Sequence, residues 1–290
     1  MKQKLRPLET AMNVVFLICG FIAIAFVLFI SIYLIVSGIP AIREIGLVDF
    51  LFGTEWASTA SEPKFGILPF ILTSVYGTCG AILIGVPIGF MTAVFLSKVA
   101  SPRLVSIVRP AVDLLAGIPS IVYGFFGLMV IVPLMQQVFP NTSGKSILTA
   151  SILLGIMILP TIIGVSESAI RAVPDSYYEG ALALGASHER SVFFVTVPAA
   201  KSGIMAGIIL GVGRAIGETM AVIMIAGNQP RIPDSLLDGV RTLTGNIVTE
   251  MGYATGLHRE ALIATGVVLF VFILIINLLF SILKRKESKA

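Results

Sequence analysis

Residues 201–226 read KSGIMAGIILGVGRAIGETMAVIMIA. After Lys201 the run carries two charges, Arg214 and Glu218, in a stretch otherwise built of small and apolar residues. About 20 such residues at about 1.5 Å each cross the roughly 30 Å of bilayer hydrocarbon, so the segment reads as a transmembrane helix. Arg214 lies 13 residues after Lys201 and 12 before Ala226, which places it close to the bilayer midplane. A charge there costs at least about 2.5 kcal/mol on insertion scales, so it must face protein or water. At 100° per residue with Arg214 at zero, Gly203 falls at about −20°, Gly207 at about 20°, Gly211 at about 60°, Glu218 at about 40° and Ala221 at about −20°. The glycines repeat the small-xxx-small spacing that lets two helices approach closely, and the same stripe then carries a cation and an anion one turn apart. This face is expected to pack against a neighbouring helix.

The rest of the 290-residue chain has the same character. Hydrophobic residues make up 56% and charged residues 12%, against about 45–50% and 25% in soluble domains, and mean hydropathy is +0.99. One core of this size cannot hide that much apolar surface, so lipid must be the solvent. A disordered chain, a disulfide-stapled secreted domain and a cytosolic enzyme with one anchor are excluded. Cys19 and Cys79 both sit in apolar runs and read as small buried thiols without a redox role.

Six apolar runs emerge, at 12–36, 69–97, 112–134, 147–168, 202–226 and 261–283, giving an all-α polytopic membrane protein with six transmembrane helices. The first follows Lys2, Lys4 and Arg6 as a signal peptide would, but it is too long, and the exit from Ser37 to Pro40 is a poor cleavage site, so it is read as a retained helix. The N-terminus, the loops after the second and fourth runs and the C-terminus together carry 13 of the 20 Lys and Arg, which puts both termini in the cytoplasm. The organisation reads as an N-terminal segment with the first helix and its outer loop (1–68), a five-helix core (69–283) and a basic tail (284–290). In the second outer loop Leu236, Leu237, Val240, Leu243, Ile247 and Met251 recur at helical spacing, suggesting an amphipathic helix at the outer face. It either packs on its own bundle or receives a partner. Pro87, Pro119 and Pro160 fall inside the runs and should kink or interrupt them.

Arg214 and Glu218 are the candidate functional pair. The alternative is an ion pair that fixes helix packing and touches no solute. A buried pair adds little net stability over apolar residues, however, and a guanidinium is well matched to a tetrahedral oxyanion. Asp113 and Glu167 lie near the ends of their runs and read as solvated by interfacial water. The cytoplasmic loop from Pro174 to Pro198 looks structured: Ser176 and Glu179 have capping-box spacing and Gly185 suits a helix stop, so a helix of about two and a half turns is predicted. Held between two spans, it could serve as a lever for a soluble partner. Gly144-Lys145-Ser146 mimics a phosphate loop but has Phe139 where its first Gly belongs. With two His and no Cys cluster, no metal site is expected, and no nucleophile elbow occurs. The chain is therefore expected to be a transport subunit and not an enzyme.

The cytoplasmic loop resembles the signature loop of the integral-membrane subunits of ATP-driven importers, the EAA loop. Glu179, Ala181, Gly185 and Pro198 match it, and Gly180, Val195 and Val197 replace their counterparts conservatively. The stretches from Asp113 to Gly124 and from Gly213 to Val222, the latter ending Gly-Glu-Thr-Met-Ala-Val, are similar to the PstC family of phosphate transport permeases. The resemblance implies the type I ABC importer fold in a bacterial inner membrane. It also implies a PstA-like second permease, a PstB-like ATPase homodimer that uses ATP and magnesium, and a PstS-like phosphate-binding protein, periplasmic or lipid-anchored. It gives Glu179 as a contact to the ATPase and Gly185 as the turn of the coupling helix. No cofactor is expected on this chain, and no nucleic-acid partner. A gradient-driven anion transporter or channel, and an importer of sulfate or molybdate, remain the alternatives, since Arg214 suits those oxyanions too.

Overall fold

The computed structural model describes residues 7–287; Lys2, Lys4, Arg6 and the end of the basic tail lie outside them. The chain opens with the 39-residue helix α1 (Pro7–Ile45) and the short α2 (Leu47–Phe52). An antiparallel hairpin follows, β1 (Trp56–Ala57) with β2 (Lys64–Phe65), in register Trp56 to Phe65. Then come α3 (Leu68–Val94), α4 (Pro102–Gly117), α5 (Ser120–Phe126), α6 (Val132–Val138) and α7 (Ile147–Arg171). The loop after α7 holds α8 (Asp175–Ala183), α9 (His188–Ser191) and α10 (Val197–Ala199). α11 (Lys201–Gly217), α12 (Met220–Ile225), α13 (Leu243–Glu250) and α14 (Gly256–Glu287) complete the chain.

The centre is the pair α3 and α7, and glycines set their separation. A Cβ on Gly85 would lie 2.7 Å from Ile158 and 2.8 Å from the Gly155 carbonyl oxygen, so the two backbones meet directly. α7 also receives α11 and is the most enclosed span, with 67% of its apolar window buried, whereas none of the corresponding window of α1 is. That explains why α7 shows no polar face in its sequence: protein surrounds it.

Among the described residues five stretches are each long and apolar enough to cross a membrane: Glu9–Ile45, Leu68–Val99, Ser120–Val138, Ile147–Arg171 and Gly256–Leu279. A sixth arises when 188–199 and 201–217, which meet at a 71° bend, are counted together. Two of the expected runs are interrupted. The third, read as 112–134, is broken at Ile118 and Pro119, both extended (ψ 127° and 142°). Proline lacks an amide hydrogen and forces its predecessor out of the α region, so α4 stops there and a new helix starts at Ser120. The fifth, read as one helix over 202–226, stops at Gly217 and resumes at Met220.

Other expectations change too. Glu167 is not solvated. Its side chain is 3% exposed and is paired with Arg171 (2.8 Å) and with Arg109 of α4 (3.6 Å). Arg171 also donates to the Leu96 carbonyl, 2.9 Å away. Asp113 is exposed on α4, which has no buried residue. Cys19 and Cys79 are unpaired and exposed on outward helix faces. The outer helix expected at 236–251 shrinks to Leu243–Glu250, because the Thr242 hydroxyl accepts from Gly245 N–H and caps the helix there. Before it, the Asp238 carboxylate closes a turn by accepting from Asp234 N–H and Ser235 N–H. α13 packs on α14 and α3, with Leu243 buried.

At the far end of α13 the buried Glu250 carboxylate gathers four elements. It accepts from Trp56 Nε1 (3.0 Å), Ser58 Oγ (3.0 Å), Arg241 Nη1 (2.5 Å) and pairs with His258 Nε2 (2.8 Å). Burial pushes this carboxyl up, but the hydrogen bonds from Trp56, His258, Ser58 and Arg241 outweigh it and hold it below the usual carboxylate value of 4.5. A depressed carboxylate contributes stability that is full above its unfolded value and is lost as pH falls through its folded one. Thermal unfolding of the detergent-solubilised chain should therefore show wild type more stable than Glu250→Gln by a constant margin near neutrality. That margin should shrink once the pH drops below about 4.5; a margin that persists into acid would contradict the assignment.

Candidate functional site

The break in the fifth span lies four residues past Arg214. Glu218 is extended (φ −68°, ψ 131°) and Thr219 is non-helical, so two helix ends meet inside the bundle. The Glu218 carboxylate closes one of them: its Oε1 accepts from Thr219 N–H (3.0 Å) and Ala221 N–H (3.3 Å), capping α12. A carboxylate here satisfies free amides and lies at the positive end of a helix dipole. The Glu218 carbonyl in turn accepts from Thr244 Oγ1 of α13, 3.2 Å away.

The break at Ile118 and Pro119 lies alongside. α5 packs on α12, and Gly124 is pressed so close that a Cβ there would lie 2.8 Å from Ala221 Cα. The Tyr123 hydroxyl donates to the Leu115 carbonyl (2.8 Å), satisfying the open end of α4. Arg214 is within electrostatic reach of that hydroxyl. Two discontinuous helices thus place their interruptions side by side, next to one guanidinium.

Arg214 and Glu218 do not pair. Among the described residues the Arg214 guanidinium has no ion pair or hydrogen bond, because the carboxylate expected one turn away is held by the α12 amides. The glycine stripe meets α7: added Cβ atoms would lie 2.4 Å from Ala169 Cβ at Gly203, 3.1 Å from Ser166 Oγ at Gly207 and 2.9 Å from Ile162 at Gly211. Leu210, Gly213 and Gly217 are exposed. Arg214 is half-buried, at the seam between the α7-facing and the open face. Beside the break a cavity of about 20 Å³, room for one water, is lined by Glu218, Thr73, Ser74, Thr78 and Thr242.

In the loop between α7 and α11, α8 spans nine residues. Its N-cap is Pro174 with no side-chain cap bond, so Ser176 falls inside the helix and the expected capping box is not made. The C-terminus is a Schellman turn, with Ala186 N–H to the Ala181 carbonyl and Gly185 N–H to the Leu182 carbonyl. Gly185 takes φ +85°, which disfavours any side chain. Glu179, Tyr177 and Leu184 are exposed, Ala181 is half-buried, and Pro198 sits in α10 just before the bend into α11. The loop is fastened to the end of the second span: Lys98 Nζ lies 3.5 Å from Asp175 and over the Tyr178 ring, and Tyr178 OH bonds His188 Nδ1 at 2.7 Å. Tyr123 and Thr244 were missed in the sequence, since each acts through one backbone carbonyl distant along the chain. Pro119 was the available signal for Tyr123.

Residues 85–289 match the family described as binding-protein-dependent transport system inner membrane component. The chain is 39% identical over 271 residues to the probable ABC transporter permease protein YqgH of Bacillus subtilis (strain 168), covering 91% of this chain and 88% of that protein. It is 37% identical over 268 residues to the phosphate transport system permease protein PstC of Xylella fastidiosa (strain 9a5c), covering 83% and 81%. In fold it is similar to a chain of a bacterial alginate ABC transporter complex (TM-score 0.65, 17% identity, 98% and 99% covered). It is also similar to a chain of an inward-facing MetNI methionine ABC transporter (TM-score 0.61, 20% identity, 76% and 95% covered). The broken spans, the loop between α7 and α11 and these likenesses agree: the chain belongs to the family of inner-membrane components of binding-protein-dependent transport systems, as a multi-pass protein with the type I ABC importer permease fold.

Proposed function

We propose that this chain is the PstC-type permease subunit of an ATP-driven inorganic phosphate importer. It would form half of the translocation path with a PstA-like partner, above a PstB-like ATPase dimer and below a PstS-like phosphate-binding protein, with both termini cytoplasmic. The observation that carries the reading is Arg214, a guanidinium without an ion pair among the described residues, where two interrupted helices meet on the seam of the open face. Its cost in hydrocarbon is offset if that seam is an aqueous path for an anion. The name of the PstC relative supports phosphate among the oxyanions.

A passage site must attract the ion without trapping it. Arg214 supplies paired donors matched to a tetrahedral oxyanion, and Glu218, anchored on α12, holds a fixed negative charge nearby that tempers the attraction. Its carboxylate orders the break rather than waiting as a counter-ion. Gly203, Gly207 and Gly211 hold α11 on α7, so movement of α7 carries Arg214 with it. ATP binding would close the ATPase dimer against Glu179 and the exposed apolar residues of α8. Ala181, Gly185 and Pro198 shape the lever and its join to α11, and the interruptions at 118–119 and 218–219 serve as bending points for alternating access.

Arg214→Gln should lower ATP-dependent phosphate uptake by roughly 10- to 100-fold or more, the loss of one charge-assisted partner, with assembly on the ATPase intact. Normal accumulation would eliminate the role. In the same assay unlabelled phosphate should compete far better than sulfate or molybdate; the reverse order would reassign the solute. Gly185→Ala forces a side chain into left-handed backbone at about 1 kcal/mol. It should weaken ATPase binding and uptake together, while leaving solute competition unchanged.

A further inference from the structure

The Glu250 cluster and the Glu218 break are the two ends of one element. At its C-terminal end α13 contributes Glu250, which holds Trp56 and Ser58 of the β1–β2 hairpin, Arg241 and His258. At its N-terminal end the Thr244 hydroxyl donates to the Glu218 carbonyl and Leu243 N–H donates to Ser74 Oγ. Arg241 spans the two: its guanidinium reaches Glu250 and Asn246, and its carbonyl accepts from Thr73 Oγ1 at 2.6 Å. Asn246 is fully buried in the middle. The hairpin itself is anchored through Trp56, which packs edge-on against Phe65, Phe70 and His258. Its turn is exposed at residues 59–63, beside a cleft of about 590 Å³.

An eight-residue helix is about 12 Å long and does not compress, so displacement at one end is delivered to the other. We infer that α13 is a strut that carries contact at the hairpin to the interruption beside Arg214, with Glu250 and Thr244 as positioning residues at its two ends. A macromolecule docking on the hairpin face would shift Trp56 and Ser58, and Glu250 would pass that shift through α13 to the Glu218 carbonyl. The inference rests on the proposed function: with both termini cytoplasmic, the hairpin between α1 and α3 faces outward, where the proposed solute-binding protein delivers its load, and that protein is the docking macromolecule meant. Neither residue touches the solute; they set where Glu218 and the α12 terminus stand.

The test uses the assembled transporter in proteoliposomes, with the cognate binding protein loaded with inorganic phosphate, and compares ATP hydrolysis with and without it. Thr244→Val removes one hydroxyl at nearly constant shape, and Glu250→Gln removes the charge while keeping the side-chain size. Each should leave assembly and basal hydrolysis near wild type, yet reduce stimulation by the loaded binding protein roughly three- to tenfold, the worth of one such hydrogen bond. Because both act on one strut, the double variant should lose no more than the larger single loss. Losses that multiply, or full stimulation in either assembled variant, overturn the strut. Should Glu250→Gln fail to assemble, Thr244→Val and Thr73→Val decide by the same readout, and full stimulation in both overturns it. A wild-type complex that the loaded binding protein does not stimulate sinks the docking reading, and the strut with it; stimulation of wild type and variants alike sinks the strut alone.

Discussion

Hydrocarbon offers no hydrogen bonds, so every interruption of a spanning helix must be repaired by the protein itself. At the two interruptions of this chain the repair is visible atom by atom. The Glu218 carboxylate takes the amides that open α12, the Thr244 hydroxyl takes the carbonyl left at Glu218, and the Tyr123 hydroxyl takes the carbonyl left at Leu115. The rest depends on these few bonds: they fix where α5 and α12 begin, how closely Gly124 meets Ala221, and hence where Arg214 stands. They also leave Arg214 without an acidic partner among the described residues, since the nearest acid along the chain is already engaged.

Packing around that centre is one-sided. α7 is enclosed by α3, α11, α4 and α5, and glycines bring its neighbours to backbone contact. On the other side α1 is exposed along most of its length, and the α11 face carrying Leu210, Gly213 and Gly217 is uncovered. Exposed apolar surface suits lipid along α1. Small residues beside a guanidinium suit instead a second protein surface or a watery seam, as expected of one component of a larger transport system. Buried charge is handled the same way at both ends of the bundle: Glu167 is clasped by Arg109 and Arg171, and Glu250 by Arg241 and His258. These carboxylates join elements remote in sequence, which apolar contacts alone would hold with less specific geometry.

How much of the site could be read in advance differs by residue. Gly185 was legible because a helix stop is local: a glycine after a short helical run sets up the Schellman turn whatever surrounds it. The glycine spacing of α11 was legible because helical periodicity alone decides which residues share a face. The one-turn spacing of Arg214 and Glu218 is not kept, because that same periodicity was carried across a break it cannot see. The capping box at Ser176 failed for a related reason, since the chain enters α8 two residues earlier, straight from Pro174.

The sequence by itself determined the solvent, the apolar runs, the charges that must be sheltered and the turn at Gly185, because apolar length and local backbone preference act over a few neighbouring residues. Tertiary structure alone decided that the interruptions of the third and fifth runs lie beside each other and that Glu167 is buried. Each of those outcomes depends on a partner brought close only by folding, such as Arg109 to Glu167 or Thr244 to Glu218. A linear reading gives the demand for a hydrogen-bond partner, and only the packed chain supplies which group meets it.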